Sequence, residues 1–328
     1  MTRRRGYILP LTLALLVLAA TLMTAVSRIA LRRAADARVA TDDLQRRWGA
    51  ASIRKAVLPR ADQILTLAHR AAPARPNPAR VDLTLRLGRF SYDLVVSDEQ
   101  AKANLNAILE EADASRGESR LRSALAGSGL ANQVRFRPTI GPLFLPPTDS
   151  GAPTPPPPSA DPEMAVPNPP LFKRATAPHV SGLGQVFDGV EPGRLIQPTA
   201  GQRLAPVDLF TLWGTGAVNA RRAPATALNL AAGKALSQAD VSRLIAARDA
   251  MARAGGSMGG KSPAQEFKAQ LADAVASGAK AKANFALIEY SQCHSLWVVT
   301  RGQSRTWYDL TVIDTSNATR PVTHHFEW

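Results

Sequence analysis

A long apolar run and an amphipathic continuation occupy the first seventy residues. Residues 7–26 are interrupted only by Pro10 and three threonines. As a helix this run would span about 30 Å, the thickness of a bilayer's hydrocarbon core. The pattern predicts one helix over 7–70, with 7–26 transmembrane and the remainder amphipathic, and Pro59 should bend or end it. The apolar stripe of the second half recurs at steps of three and four residues, apart from Lys55: Ala37, Thr41, Leu44, Trp48, Ala51 and Leu58.

Residues 81–97 alternate between apolar and polar side chains on either side of Gly88-Arg89, a pattern that predicts a β-hairpin with a two-residue turn. The implied cross-strand pairs are all apolar with apolar: 81–96, 83–94, 85–92 and 87–90. One face of the hairpin is therefore apolar and must pack against another element, and the preceding amphipathic helix is the nearest candidate.

A short helical part, 98–135, follows the hairpin. Ser97 or Asp98 can cap it, and Asn104 and Asn106 are expected to bond local backbone at the entry to the helix. An acidic metal site is the alternative for this region, but no spacing forces its members together, so no metal is predicted. Its members would be Asp98, Glu99, Glu110 and Glu111.

The rest of the chain predicts a linker, a second helical part and a group of strands. Residues 138–200 hold 16 of the 25 prolines, so 136–204 is predicted to be an extended linker that buries little. Residues 205–283 are predicted to be helical. Residues 284–328 contain four short β-type runs, 285–290, 295–300, 306–313 and 321–328.

These elements predict an α+β fold in which a pilin-like long N-terminal helix packs on an antiparallel sheet. The sheet would combine the hairpin with the four C-terminal runs. A helical insertion and the proline-rich linker would lie between strands two and three.

The basic character is concentrated near the N-terminus. The net charge is +14, of which residues 1–90 carry +12, from 17 basic and 5 acidic side chains. This basic segment could bind nucleic acid, anionic lipid or an acidic protein. The single cysteine, Cys293, excludes an intramolecular disulfide and a multi-cysteine metal site.

Two short motifs point to enzymatic sites but lack the necessary context. GGSMGGKS (255–262) matches the phosphate-binding loop through Gly255, Gly260, Lys261 and Ser262, and the hydrolase nucleophile elbow through Gly255, Ser257 and Gly259. Both motifs need a strand immediately before the loop, and the sequence there is helical. The neighbours His324 and His325 would point to opposite faces of a strand, as would Cys293 and His294. No catalytic, cofactor or metal site is predicted, and the chain is interpreted as a non-enzyme.

The N-terminus resembles a type IV prepilin or type II secretion pseudopilin, in which a basic leader and a glycine precede a hydrophobic helix that is kept. The resemblance implies a leader of residues 1–6, cleavage between Gly6 and Tyr7 by a prepilin peptidase, and methylation of the new N-terminus. Cleavage there would make Pro10 the fourth residue, where it removes no helical hydrogen bond. Leu11 occupies the position where most such proteins carry glutamate.

Two further stretches resemble the minor pseudopilin called general secretion pathway protein K. They are DEQAKANLN (98–106) and the GTGAVN stretch (214–219), and members of this family also typically lack the glutamate that Leu11 replaces. The resemblance covers about 1–110 and 205–328 but does not extend over 113–200, so no calcium ligands known from some members are carried over. The matching positions are Asp98, Glu99, Gln100, Asn104, Leu105, Asn106, Gly214, Gly216 and Asn219.

The resemblance implies a single-pass protein of the bacterial inner membrane with its C-terminal domain in the periplasm. It would sit at the tip of a pseudopilus, support assembly and protein export, and use no cofactor. Expected partners are the other minor pseudopilins, the major pseudopilin and the prepilin peptidase, with exported cargo as a further candidate, whereas nucleic acid is not expected. Two alternatives stay open: a DNA-binding or DNA-uptake pseudopilin, and a secreted protein cut after Ser27.

Overall fold

A computed structural model describes residues 8–71, 78–111, 113–139, 178–199, 201–233, 235–254, 263–280, 286–302, 305–316 and 321–328. The chain divides into two compact units, Met1–Ile53 and Arg54–Trp328. The predicted cleavage position, Gly6-Tyr7, and the motif at 255–262 lie outside the described residues.

Helix α1 runs from Ile8 to Val57. One helix of the described residues, taken from Leu9 to Ala71, is long and apolar enough to cross a membrane. The threonines inside the apolar run donate their hydroxyls to carbonyl oxygens one turn earlier, as in the bonds from Thr21 to Leu18 (2.8 Å) and from Thr24 to Ala20 (2.8 Å). These bonds satisfy the polar groups of an otherwise apolar segment.

Two members of the predicted amphipathic stripe, Leu44 and Trp48, are 57 % and 68 % exposed in the second half of α1. Both lie in the first unit, which ends at Ile53.

Pro59 ends α1, as predicted. A 3-10 turn, Leu58–Arg60, carries this proline at its start, and helix α2 follows from Ala61 to Ala71. The proline has no backbone N–H to continue the α-helical bonding, which explains the interruption. Within the second unit, α2 contacts β1 (Arg80–Leu87), β2 (Phe90–Asp98) and β7 (Cys293–Arg301) of the sheet.

The main sheet is antiparallel with the order β1-β2-β7-β8-β9, where β8 is Thr306–Asp314 and β9 is Val322–Glu327. The hairpin has the predicted register, since all four expected apolar pairs are present. Gly88 adopts a φ of 60° at the turn, a left-handed conformation that glycine takes without strain. The apolar side chains of β2 are buried, but Leu83, Leu85 and Leu87 of the edge strand β1 remain about two-fifths exposed.

The predicted strand 285–290 does not join this sheet. Leu287–Ile288 forms β6, which pairs in parallel with β5 (Val218–Asn219) inside the insertion. The sheet therefore contains the hairpin and three of the four predicted C-terminal runs. The β-type composition of 285–290 indicated a strand but could not indicate its partner.

The insertion between β2 and β7 contains β3 (Ala103–Asn104), β4 (Phe210–Thr211) and six helices of the described residues, confirming a helical insertion between strands two and three of the main sheet. The apolar residues of one sheet face, among them Val95, Trp297 and Val312, pack against it in the largest core cluster. The helices are α3 (Leu105–Glu111), α4 (Ala114–Ala124), α5 (Pro192–Ile196), α6 (Ala225–Ala232), α7 (Gln238–Ala254) and α8 (Pro263–Lys280).

The predicted linker, 136–204, is wrong at its C-terminal end. Residues 178–199 pack in the main core through Val180, Val186, Phe187 and Leu195. An antiparallel bridge joins Thr139 to His179. Proline is compatible with folded structure here. Pro192 is the first residue of α5, where a backbone N–H would have no partner within the helix. Residues 140–177, which hold 12 of the 16 prolines of 138–200, lie outside the described part.

Candidate functional site

The motifs at 98–106 and 214–219 meet residues 291–295, which lead into β7, in a region that we call the polar junction. The residues around the second motif, 209–222, also belong to it. It forms where β2 leaves the main sheet and the insertion begins. Short strands β3 and β4 pair in parallel there, with Ala103 opposite Phe210 and Asn104 opposite Thr211. Charged and amide side chains fill the space between the backbone segments.

Asp98 is fully buried at the end of β2 and caps the 3-10 turn Glu99–Ala101, because its Oδ1 accepts from the Ala101 N–H (3.1 Å). Its Oδ2 accepts from Ser291 (2.6 Å), Asn219 (3.1 Å) and Arg222 (3.3 Å). The guanidinium balances the charge of the carboxylate, which would otherwise be costly to bury.

Glu99 is the second buried carboxylate of the junction. Its oxygens accept from Thr211 (2.5 Å) and Ser295 (2.5 Å) and pair with the ammonium of Lys102, which is equally buried. Gln100 completes the turn, donating to Thr215 (3.1 Å) and accepting from the N–H of Gln292 (2.6 Å). The DEQ turn thus joins the insertion to β7 through side-chain hydrogen bonds.

The sequence predicted that Asn104 and Asn106 would hydrogen-bond only local backbone groups. Both side chains also bond backbone groups that are distant in sequence. Asn104 does accept from the N–H groups of Asn106 (2.9 Å) and Ala107 (3.1 Å), but its amide also donates to the carbonyl of Trp213 (2.9 Å). Asn106 bonds both backbone groups of Val180 (2.8 and 3.0 Å) and the carbonyl of Leu212 (2.9 Å). Leu105 between them is completely buried in the main core.

The glycines of the GTG stretch have a steric role. Gly214 and Gly216 have φ values of 84° and 85°, in the left-handed region that favours glycine. A Cβ on Gly216 would also lie 3.1 Å from the Cβ of Ala107. Asn219 follows and bonds Asp98 and Ser291 (2.7 Å), so it ties this stretch to the DEQ turn.

The charges next to the junction are also paired. Burial raises the pKa of Asp208, against the opposing effect of Arg80, whose guanidinium lies 3.3 Å away. The pKa of Asp62 is lowered to about 2 by His294 (3.8 Å) and Arg222 (2.8 Å). Burial and the nearby carboxylates raise the pKa of Cys293, so its thiol is held protonated.

The junction is built to hold backbone segments together. Its carboxylates, amides and hydroxyls bond one another, and a cavity beside Glu99 and Lys102 has a volume of about 10 Å³, room for a single water at most. All nine motif residues predicted from the sequence lie here. Sequence reasoning missed Lys102, Thr211, Arg222, Ser291 and Ser295, which have no distinguishing spacing and become recognisable only as partners of the motif.

The other chemical motifs have different surroundings. The helices α7 and α8 flank 255–262, in place of the strand that a phosphate-binding loop or a nucleophile elbow needs. His324 lies near Trp213, whereas His325 bonds Thr311 (2.9 Å) across the sheet.

A group of possible metal ligands was missed by the sequence, because it is formed by side chains of adjacent strands. It comprises Asp309, His325 and Glu327. The guanidinium of Arg54 lies 2.8 Å from His325 Nδ1 and would repel a metal cation there. The guanidinium next to this group therefore argues against a metal at this position.

The chain was compared with protein-family models, curated proteins and solved structures. No family model matches the chain, and no curated protein does. Among solved structures, one chain of the GspK-GspI-GspJ complex of the type 2 secretion system from enterotoxigenic Escherichia coli is similar, with 16 % identity and a TM-score of 0.40. The match covers 89 % of this chain and 98 % of that chain.

Proposed function

We propose that this chain is a minor pseudopilin of a type II secretion system and that it acts through assembly, without catalysing a reaction. The observation that carries the proposal is the meeting of the two motifs in the polar junction, although 109 positions separate Asn104 from Trp213. The two stretches that resemble the general secretion pathway protein K family are thus parts of one structural unit in this chain.

The N-terminal unit supports the same proposal. Its apolar helix would store the subunit in the inner membrane and later pack in the core of a filament. Leu44 and Trp48, exposed beyond the apolar run, offer apolar surface to neighbouring subunits. Leu11 fits a subunit at the filament tip, because a carboxylate without a neighbour's N-terminal amine would be costly in an apolar core.

A complementation experiment in the native host tests this function. Deletion of the gene should leave exported cargo inside the cell, and the wild-type gene should restore cargo in the medium. The double variant Leu44→Ser/Trp48→Ser should restore it poorly. Leu67→Ser/Tyr290→Ser removes two exposed apolar side chains elsewhere and serves as the matched control.

Two outcomes would contradict the proposal. Normal export by the deletion strain together with loss of DNA uptake would assign the chain to a DNA-uptake pseudopilin. Normal export with a secreted, soluble protein that begins at Arg28 would show that the apolar run is a cleaved signal peptide.

A further inference from the structure

Three arginines follow the apolar run of α1 within side-chain reach of the lipid headgroups. If residues 7–26 cross a membrane, as the proposed function requires, the helical rise places Arg28 about 3 Å, and Arg32 and Arg33 about 9 and 10 Å, beyond the run. The headgroup region adds about 5–8 Å on each side of the hydrocarbon core, so Arg28 lies within it. Arg32 and Arg33 lie just beyond it, and their long side chains, which in a helix point towards its N-terminus, can extend back to it. Arg28 and Arg32 lie one turn apart on the same helix face, with Arg33 beside Arg32.

These arginines lack the carboxylate partner that Arg46 and Arg47 of α1 have. Among the described residues, none of the three pairs with a carboxylate. Further along the helix, Arg46 and Arg47 both pair with Asp43, at 3.1 and 2.8 Å. The three arginines are also exposed, and the apolar residues between them, Ile29 and Leu31, are 52 % and 71 % exposed.

We infer that Arg28, Arg32 and Arg33 bind the phosphate groups of anionic phospholipids in the outer leaflet of the membrane. A guanidinium donates paired hydrogen bonds to phosphate oxygens, and its long side chain can keep the charge at headgroup level while the helix continues into the apolar layer. Ile29 and Leu31 would then contact the boundary of the acyl chains. This arrangement also explains an otherwise unfavourable feature, since basic residues are usually concentrated on the cytoplasmic side of a membrane helix.

The test compares lipids retained by the full-length protein. The protein is placed in nanodiscs of phosphatidylcholine mixed with phosphatidylglycerol and then released, and native mass spectrometry counts the lipids still bound. Wild type should retain phosphatidylglycerol preferentially. The variant Arg28→Gln/Arg32→Gln/Arg33→Gln should lower the ratio of retained phosphatidylglycerol to phosphatidylcholine by about fivefold or more, the factor expected from one basic side chain at a charged surface.

Two further variants control for charge and folding. Lys55→Gln/Arg60→Gln/Arg70→Gln removes the same charge from exposed positions further along the chain and should keep the wild-type ratio. Arg28→Lys/Arg32→Lys/Arg33→Lys keeps the charge and should retain most of the preference, which shows that variants at these positions insert and fold. The leader arginines are identical in all forms.

Three results would overturn the inference: a wild type without lipid preference, a Gln variant at 28, 32 and 33 with an unchanged ratio, or equal losses in both Gln variants. Chemical cross-linking in membranes distinguishes a protein partner. If the Gln variant at 28, 32 and 33 keeps the lipid ratio but loses a cross-link to another subunit, the arginines bind protein and not lipid. Since lipid retention does not depend on export, a wild type that supports secretion but shows no lipid preference overturns this inference alone. A mature chain beginning at Arg28 would overturn the proposed function as well.

Discussion

Asn106 shows at the scale of single residues how the polar junction stabilises the fold. Its side chain makes three hydrogen bonds to the backbone of Val180 and Leu212, which belong to segments distant in sequence. The sequence predicted the local bonds of Asn104 correctly, because an asparagine before a helix usually bonds nearby N–H groups. It could not predict the partners of Asn106, because nothing in 98–113 tells which loop returns to it.

Replacing Asn106 should therefore destabilise the domain. We expect Asn106→Ala to lower the free energy of unfolding by roughly 2–3 kcal/mol, because it leaves backbone groups of Val180 and Leu212 without partners. Urea unfolding of a soluble form, residues 30–328, measures the change. Asn229→Ala, on an exposed position of α6, is the matched control and should change stability by less than about 0.5 kcal/mol. Equal effects of the two substitutions would show that the bonds of Asn106 contribute nothing.

Asp62 gives a pH dependence with a defined sign. Its pKa is lowered from 3.8 to about 2, so it binds a proton less readily in the folded protein than in the unfolded chain. Its stabilising contribution is fully present above pH 3.8 and is lost as pH falls to about 2. Because the side chain is 58 % exposed, solvent screening should keep the contribution below about 1 kcal/mol.

The comparison of wild type with Asp62→Asn measures this effect. The difference in their free energies of unfolding should be constant at neutral pH. It should decrease to zero as the pH falls from 3.8 to about 2. At neutral pH, added salt should reduce the stability difference between wild type and Asp62→Asn, because the carboxylate of Asp62 is exposed and its ion pairs are screened. A difference that persists unchanged to the lowest pH would contradict the assigned ion pairs.

At the scale of elements, the sequence predicts those structures whose information is local. The hairpin was correct in register, because alternation and Gly88 specify both strands and the turn. Pro59 correctly marked the end of α1. The errors concern long-range choices: 285–290 pairs with the insertion, and 178–199 folds into the core despite its prolines. Sequence composition describes a segment's own preferences but not the surface that covers it.

The corrected boundary of the proline-rich segment gives a deletion experiment. Removing residues 145–177 from the soluble form should leave the melting temperature nearly unchanged, because this stretch has no periodic apolar residues. Removing 145–187 instead should lower it strongly, since Val180, Val186 and Phe187 would be lost from the core. A fall of more than about 5 °C for the shorter deletion, roughly 1–2 kcal/mol for a domain of this size, would show that 145–177 packs.

At the scale of the whole molecule, the chain comprises an apolar helix and an α+β domain whose insertion is held by the polar junction. In this account the helix must be kept, because it anchors the subunit and later packs in the filament. If the chain is a secreted protein, cleavage after Ser27 removes the apolar run. If it is an ordinary membrane protein, both the basic leader and the helix are kept. The three cases differ in the first residue of the mature protein: Tyr7, Arg28 or a residue before Gly6.

The intact mass of the mature protein, purified from native membranes, therefore tests the central claim most directly. We predict a chain that begins at Tyr7 and carries one methyl group. Glycine lets the backbone approach the catalytic groups of a peptidase closely, so Gly6→Val should accumulate as the uncut precursor and abolish export. Leu11→Ala, which lies inside the apolar run, should be processed like wild type. A wild-type mass that retains Arg3–Arg5, or a Gly6→Val protein that matures at the wild-type mass, would contradict the assignment as a pseudopilin.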